Sequence, residues 1–234
     1  ASLYIATPRI QKPGEANLFR HLAKFESSGL LIRNPGGMYH CLEHGIPFIA
    51  DFSMNAANEL TADYLLGLGA ERFTASYDLS FEQLEDLLAR VPGDRTEVVI
   101  HQRIPMFHME HCVFCAFMSP GTDHTNCGRP CDVHDVRLRD RAGVEHPLTA
   151  DVGCRNTLFN AVPQTAAEYL PRLIAAGAGY LRLEFLDDKP EAVRKTIGLY
   201  RDVLEGRREP KNLWRELKAS NQYGVTRGSL TIIQ

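Results

Sequence analysis

Apolar residues fall along this chain in two alternating rhythms. Leu3–Ala6, Leu30–Ile32, Phe48–Ala50, Arg72–Ala75, Glu97–Ile100 and Tyr180–Phe185 are short β-branched or apolar runs of strand length. Between them the spacing turns helical. Ala16–Phe25 places Leu18, Leu22 and Phe25 on one face, Glu59–Leu68 is closed by Gly69, and Ser80 caps Phe81–Arg90. Ala166–Ala176 and Glu191–Leu204 continue the series, and Asn34–Gly37 has the composition of a turn. Strand and helix in alternation at this spacing predict βαβ units and a parallel sheet. The fold class expected is therefore α/β, a TIM-barrel-like (β/α) domain that is partial or complete, with six core strands where a full barrel has eight.

Each strand runs out into polar residues: Arg33 and Asn34, Asp51 to Asn55, Ser76 to Asp78, and His101 to Arg103. Parallel α/β proteins build their sites there, at the carboxyl ends of the strands. The rhythm breaks at Pro105. Residues 105–135 are rich in Cys, His, Gly and Pro, with no lasting period. A structureless stretch of this length inside a domain needs a reason, and a metal centre supplies one. Val136–Asp140 and Glu145–Leu148, joined by Arg141–Ala142–Gly143, read as a β-hairpin. The expected organisation is a barrel-like unit over 1–206, containing a cysteine-rich segment at 105–160, and a polar C-terminal tail over 207–234.

The six cysteines sharpen that picture. Cys112 and Cys115 form a C-x2-C pair, Cys127 and Cys131 a C-x3-C pair, and Cys154 follows, with Cys41 alone upstream. Four thiolates from two such turns can surround one zinc ion or one iron–sulfur cluster, and soft sulfur donors favour these over calcium or magnesium. His101, His108, His111, His124 and His134 crowd the same region. Free thiols packed in a core are the plain alternative, and five in so polar a stretch argue against it.

With 234 residues, the chain is long enough to bury a sizeable core without disulfides. A net charge of −3 makes no general case for nucleic-acid binding, although Arg and Lys gather between Arg194 and Lys218. No apolar run reaches the roughly 18 residues of a membrane helix, and no signal segment is apparent, so a cytoplasmic location is expected. The chain begins without Met and directly in a strand, as a piece of a longer protein would.

Several stretches together resemble peptidase family U32, the collagenase-like proteins. They are His101 to Met106, Cys115 to Ser119, Asn126 to Cys131, Leu138 to Gly143, Asp151 to Asn160, and Tyr180 to Glu184. Upstream, Phe52 to Asn55 with Asn58, and Phe73 to Ser76, resemble the family's barrel strands. The resemblance implies a TIM-barrel-like domain and, in several members, a 4Fe-4S cluster on four cysteines. It implies hydroxylation of tRNA or ribosomal RNA bases, or of ubiquinone, and in some members prephenate as the oxygen donor. A second subunit or missing domain is expected as partner, since some relatives are heterodimers. The ligands would be four of Cys112, Cys115, Cys127, Cys131 and Cys154; the family's usual first cysteine position here holds His108. Arg182, Glu184 and His101 are the catalytic candidates, and Arg33, Asn55 and Arg103 the substrate-binding ones. Proteolysis finds no G-x-S-x-G or H-E-x-x-H. A collagenase-like peptidase and a zinc-stapled, non-enzymatic binding domain are the alternatives.

Overall fold

Five short apolar runs of the N-terminal half pair in parallel and in chain order. The computed structural model describes residues 1–211, 213–221 and 224–225. The series runs β1 (Tyr4–Ala6), α1 (Asn17–Leu22), β2 (Gly29–Ile32), α2 (Pro35–His44), β3 (Phe48–Ala50), α3 (Glu59–Gly67), β4 (Phe73–Thr74), α4 (Phe81–Leu88) and β5 (Thr96–Gln102). Local chemistry sets the helix starts. Asn58 accepts a hydrogen bond from the Thr61 N–H at 2.9 Å, and Ser80 and Gln83 form a reciprocal capping box. The expected turn at Asn34–Gly37 is instead the start of α2. Asn34 caps it by accepting from the Gly37 N–H at 2.8 Å, Pro35 fits the first turn, and Gly45 ends it in the left-handed region at φ 64°.

The 105–135 stretch, expected to lack regular structure, contains a strand and a helix. β6 (Pro105–Met109) leads into α5 (Val113–Met118), followed by β7 (Val136–Arg139), β8 (Glu145–Asp151) and β9 (Arg155–Phe159). These strands form an antiparallel sheet in the order β6-β9-β8-β7. The hairpin is present, with β8 running on to Asp151. β6 pairs with β9, His108 with Thr157 and Met109 with Asn156, nearly 50 positions away, so no local pattern announces β6.

The chain then returns through β10 (Gln164–Thr165), α6 (Leu170–Ala175), β11 (Tyr180–Leu183), α7 (Pro190–Leu204), α8 (Leu213–Glu216), β12 (Ser220–Asn221) and β13 (Gly224–Val225). β11 pairs in parallel with β5, and β10 pairs antiparallel to it. All six expected strands therefore lie in one seven-stranded sheet, curled as a half-barrel compatible with a partial barrel.

One large core joins this sheet to its helices through Ile32, Phe48, Phe73, Phe81, Leu173 and Tyr200, all nearly inaccessible. A second, small cluster of Phe114, Leu148 and Leu158 lies under the antiparallel sheet. Of the tail expected at 207–234, Leu213, Leu217 and Ala219 are buried in the large core, while 212, 222–223 and 226–234 lie outside the described residues. No described helix is long and apolar enough to cross a membrane.

Candidate metal centre and the adjoining cavity

All five clustered cysteines line one cavity of about 900 Å³, together with His111, His124, Glu15, Glu110 and Asp151. Three loops deliver them. Cys112 caps α5 and its sulfur accepts from the Cys115 N–H at 3.4 Å, which turns both side chains of the C-x2-C pair to one end of the helix. Asn126 accepts from the Thr122 and Asp123 N–H groups at 2.7 and 3.0 Å, folding the loop that ends at Cys127. The Cys127 sulfur accepts from the Arg129 N–H at 3.4 Å. The third loop is strained. Gly153 and Cys154 both take positive φ, 73° and 60°, the second a conformation that costs a residue with a side chain. Gly128 and Arg129 do the same beside Cys127, at 68° and 54°. Left-handed backbone therefore sits next to thiols in two of the three loops.

The thiols feel one another. Burial pushes the Cys115 thiol up, and the neighbouring Cys127 and Cys112 add to it. Burial likewise raises Cys154, reinforced by Cys112, Cys127 and Cys131, and raises Cys131, reinforced by Asp132 and Cys112. Like-charged thiolates resist ionising together, and a cation among them reverses that balance. The donor set fits a thiolate-held centre: five soft donors on one cavity wall. Among the described residues, no group of three or more His, Cys, Asp or Glu side chains is already drawn together tightly enough to hold a metal ion.

A second cavity, of about 230 Å³, lies between the strand ends of the large sheet and the small sheet. Arg9, Arg33, Phe52 and Glu184 line one side, His108, Thr157 and Asp151 the other. Ala150 and Asp151 line both this cavity and the thiol cavity, so one short segment of β8 divides them. A third, of about 260 Å³, adds Asn34, Ser53, Asn55, Tyr77 and Asp78 to Arg9 and Arg33. The Arg9 guanidinium lies 5.2 Å over the Phe52 ring, whose centroid is 4.4 Å from that of Tyr77. Burial raises the Tyr77 hydroxyl to about 12.

Beneath these cavities runs a buried ionic network. Asp51, fully inaccessible, takes the Arg33 Nε–H at 2.8 Å on one oxygen and Arg182 at 2.5 Å on the other. Arg182 also reaches Glu97 at 2.9 Å and Glu184 at 2.8 Å, and Arg72 donates to Glu97 at 3.2 Å. Three arginines thus meet three carboxylates. Burial pushes the Glu184 carboxyl up against the pull of Arg182.

The structure brings some expected site residues together and separates others. Arg33, Asn55 and Glu184 line the strand-end cavities. Arg182 lies beneath them with its guanidinium committed to Asp51, Glu97 and Glu184. His101 and Arg103 line neither these cavities nor the thiol cavity. His101 packs between Phe185 and Tyr200, and burial lowers its pKa to about 4. Arg103 donates to the carbonyls of Asn160 and Ala161. His108 lines the strand-end cavity and not the thiol cavity. Its Nδ1 is 2.8 Å from the Thr157 hydroxyl, and its buried Nε2 has no hydrogen-bond partner among the described residues. Sequence reasoning passed over Arg9, although it follows a strand end as Arg33 does, and over Arg155, Glu15 and Glu110, whose meeting nothing local announces.

A half-barrel α/β sheet with polar strand ends, joined to a small sheet that bears a thiol-lined cavity, defines the class. The sequence model of Peptidase family U32 matches residues 11–229, nearly the whole chain. The chain belongs to peptidase family U32. Comparisons with curated proteins and with solved structures gave no match.

Proposed function

We propose that this chain is an iron–sulfur-dependent, hydroxylase-like enzyme of its family, acting on an RNA base or a quinone-type substrate. The observation that carries the reading is the shared wall: a cavity with five thiols and a polar cavity at the strand ends meet at Ala150–Asp151. Cys112, Cys115, Cys127 and Cys154 are the ligand set we favour, with Cys131 as the alternative fourth. A 4Fe-4S cluster, when bound, supplies one-electron redox chemistry.

The chain's own groups do the rest. Arg9 and Arg33 offer guanidinium N–H groups to an acceptor on the substrate, and Asp51 holds Arg33 in place. The Phe52 ring offers a flat apolar face. Glu184, whose carboxyl burial pushes up, is the candidate proton-holding group on the cavity wall. Arg182 positions Asp51 and Glu184 and does not itself contact substrate. Proteolysis fits less well, because a thiolate committed to metal is a poor nucleophile.

Anaerobic purification followed by iron, sulfide and zinc analysis and a visible spectrum tests the reading. A brown protein with about four irons per chain supports it. A colourless protein with one zinc overturns it and leaves a stapled binding domain. Nucleosides and quinones from cells with the intact or the Cys115→Ala chain then test the substrate. A hydroxylated species lost with the variant is expected. Gelatin cleavage by the metal-loaded chain would favour the peptidase instead.

A further inference from the structure

One buried cation beside the thiol cavity has all three of its guanidinium nitrogens engaged. Arg155 opens β9 directly after Cys154 and is 1 % exposed. Its Nε–H donates to Glu110 at 2.9 Å, Nη2 to both oxygens of Glu15 at 3.0 and 2.9 Å, and Nη1 to the Val152 carbonyl at 3.3 Å. Lys12 closes the set with an ion pair to Glu110, and its N–H donates to Glu15 at 2.8 Å. Two cations and two carboxylates therefore tie the N-terminal turn at 12–15, strand β6 and the cysteine turn to one point. Glu15 and Glu110 are themselves walls of the thiol cavity.

The turn that presents Cys154 is fitted around this guanidinium. A Cβ at Gly153 would lie 2.7 Å from Arg155 Nη1, so a side chain there must displace the end of the guanidinium in addition to adopting the φ of 73° that favours glycine. Cys154 keeps its own left-handed conformation between this glycine and the anchored arginine. A conformation that costs about 1–3 kcal/mol persists only where its surroundings over-determine it. Here those surroundings are a planar fork with fixed donor directions, which a lysine cannot reproduce.

We propose that Arg155 is a positioning residue of the thiol cavity: it forms the turn that presents Cys154 and clasps the Lys12–Glu15 turn against the cavity wall. The proposal rests on reading that cavity as the metal centre, and its test begins without metal. In the metal-free full-length chain, iodoacetamide labelling of each cysteine is followed over time by mass spectrometry, with buried Cys41 as the internal control. Arg155→Lys keeps the charge and loses the fork. It should label Cys154 several-fold faster while Cys41 stays slow, and Glu15→Gln should move Cys154 the same way by less. After anaerobic reconstitution with iron and sulfide, Arg155→Lys should hold fewer irons per chain than the parent.

Unchanged Cys154 labelling in folded Arg155→Lys overturns the proposal. If that variant fails to fold, shown by fast labelling of Cys41, unchanged Cys154 labelling in Glu15→Gln overturns it equally. A parent chain that takes zinc and no iron overturns the redox reading alone, because the labelling comparison does not depend on which metal binds.

Discussion

The large sheet and the small sheet are held together by different physics. In the large one, β5 is buried along its whole length and the core runs from Leu30 to Ala219 through α2, α3, α4, α6, α7 and α8. Burial of apolar surface, at roughly 25 cal/mol per Å², is sufficient reason for such a region to fold. Among the described residues, the small sheet fully buries Phe114, Leu148 and Leu158 at its centre, with partly buried side chains such as Met109 and Val136 around them. Polar pins take over there. Buried Asn156 accepts from the Val113 N–H at 2.6 Å and donates to the Arg155 carbonyl at 2.8 Å, and Arg155 gathers Glu15 and Glu110. A unit with so little core relies on staples, and the thiol cavity is where a further staple would act. The region with the candidate chemistry is thus the region least able to stand without it.

Four measurements would break or sharpen this contrast. Phe73→Ala, at a site with no exposure, should cost about 3–5 kcal/mol and lower the urea midpoint of the whole chain. Phe114→Ala should instead raise amide exchange in β6 to β9 and leave β1 to β5 protected. Equal loss of protection in both would mean that the two regions are one cooperative unit. Asp51→Ala takes away the carboxylate that Arg33 pairs with and one of the three around Arg182, and should cost about 3–5 kcal/mol by the same urea titration. A cost under about 1 kcal/mol would show that water reaches the network.

The third measurement is a pH series. Burial holds the His101 pKa at about 4, below its unfolded value near 6.5. A depressed folded pKa means stability that is fully present above about pH 6.5 and is lost as pH falls toward 4, roughly 3 kcal/mol in all. His101→Phe should flatten that acid limb, and an unchanged limb would mean that other groups set it. The smallest effect belongs to Gly153→Ala, about 1–2 kcal/mol from the left-handed backbone. It should appear as faster exchange around Cys154 with little change in the global midpoint.

What could be read in advance followed the same division. The six main strands and most helices were legible because their apolar period and caps, such as Ser80 with Gln83, are local. The C-x2-C and C-x3-C spacings placed the thiols together for the same reason. α2 was hidden because Asn34, Pro35 and two glycines are turn residues as well as helix starters. β6 and β9 were hidden because β6 pairs with β9, and β9 with β6 and β8, across long stretches of chain or around a turn that no local pattern announces. The Arg155–Glu15 clasp joins residues 140 positions apart, and Arg182, expected to face a ligand, is taken up by Asp51 just past β3, Glu97 in β5 and Glu184 just past β11.

The chain leaves the large sheet at Gln102 and comes back beside the same residue at Gln164. The Asn160 N–H donates to the Ile104 carbonyl at 2.9 Å, so the two ends of the small unit are held next to each other. This predicts an order of assembly. The pairing of β11 with β5 is a distant contact along the chain, and closing a long loop is slow. Once the hairpin has gathered β9 and β6, most of that loop is already folded away and the remaining closure is short. Refolding rates report this order: Phe114→Ala should slow refolding of the whole chain, whereas a rate unchanged from the parent would mean that the seam closes first. The small sheet would then act as the chain's kinetic shortcut as well as the support of its thiols.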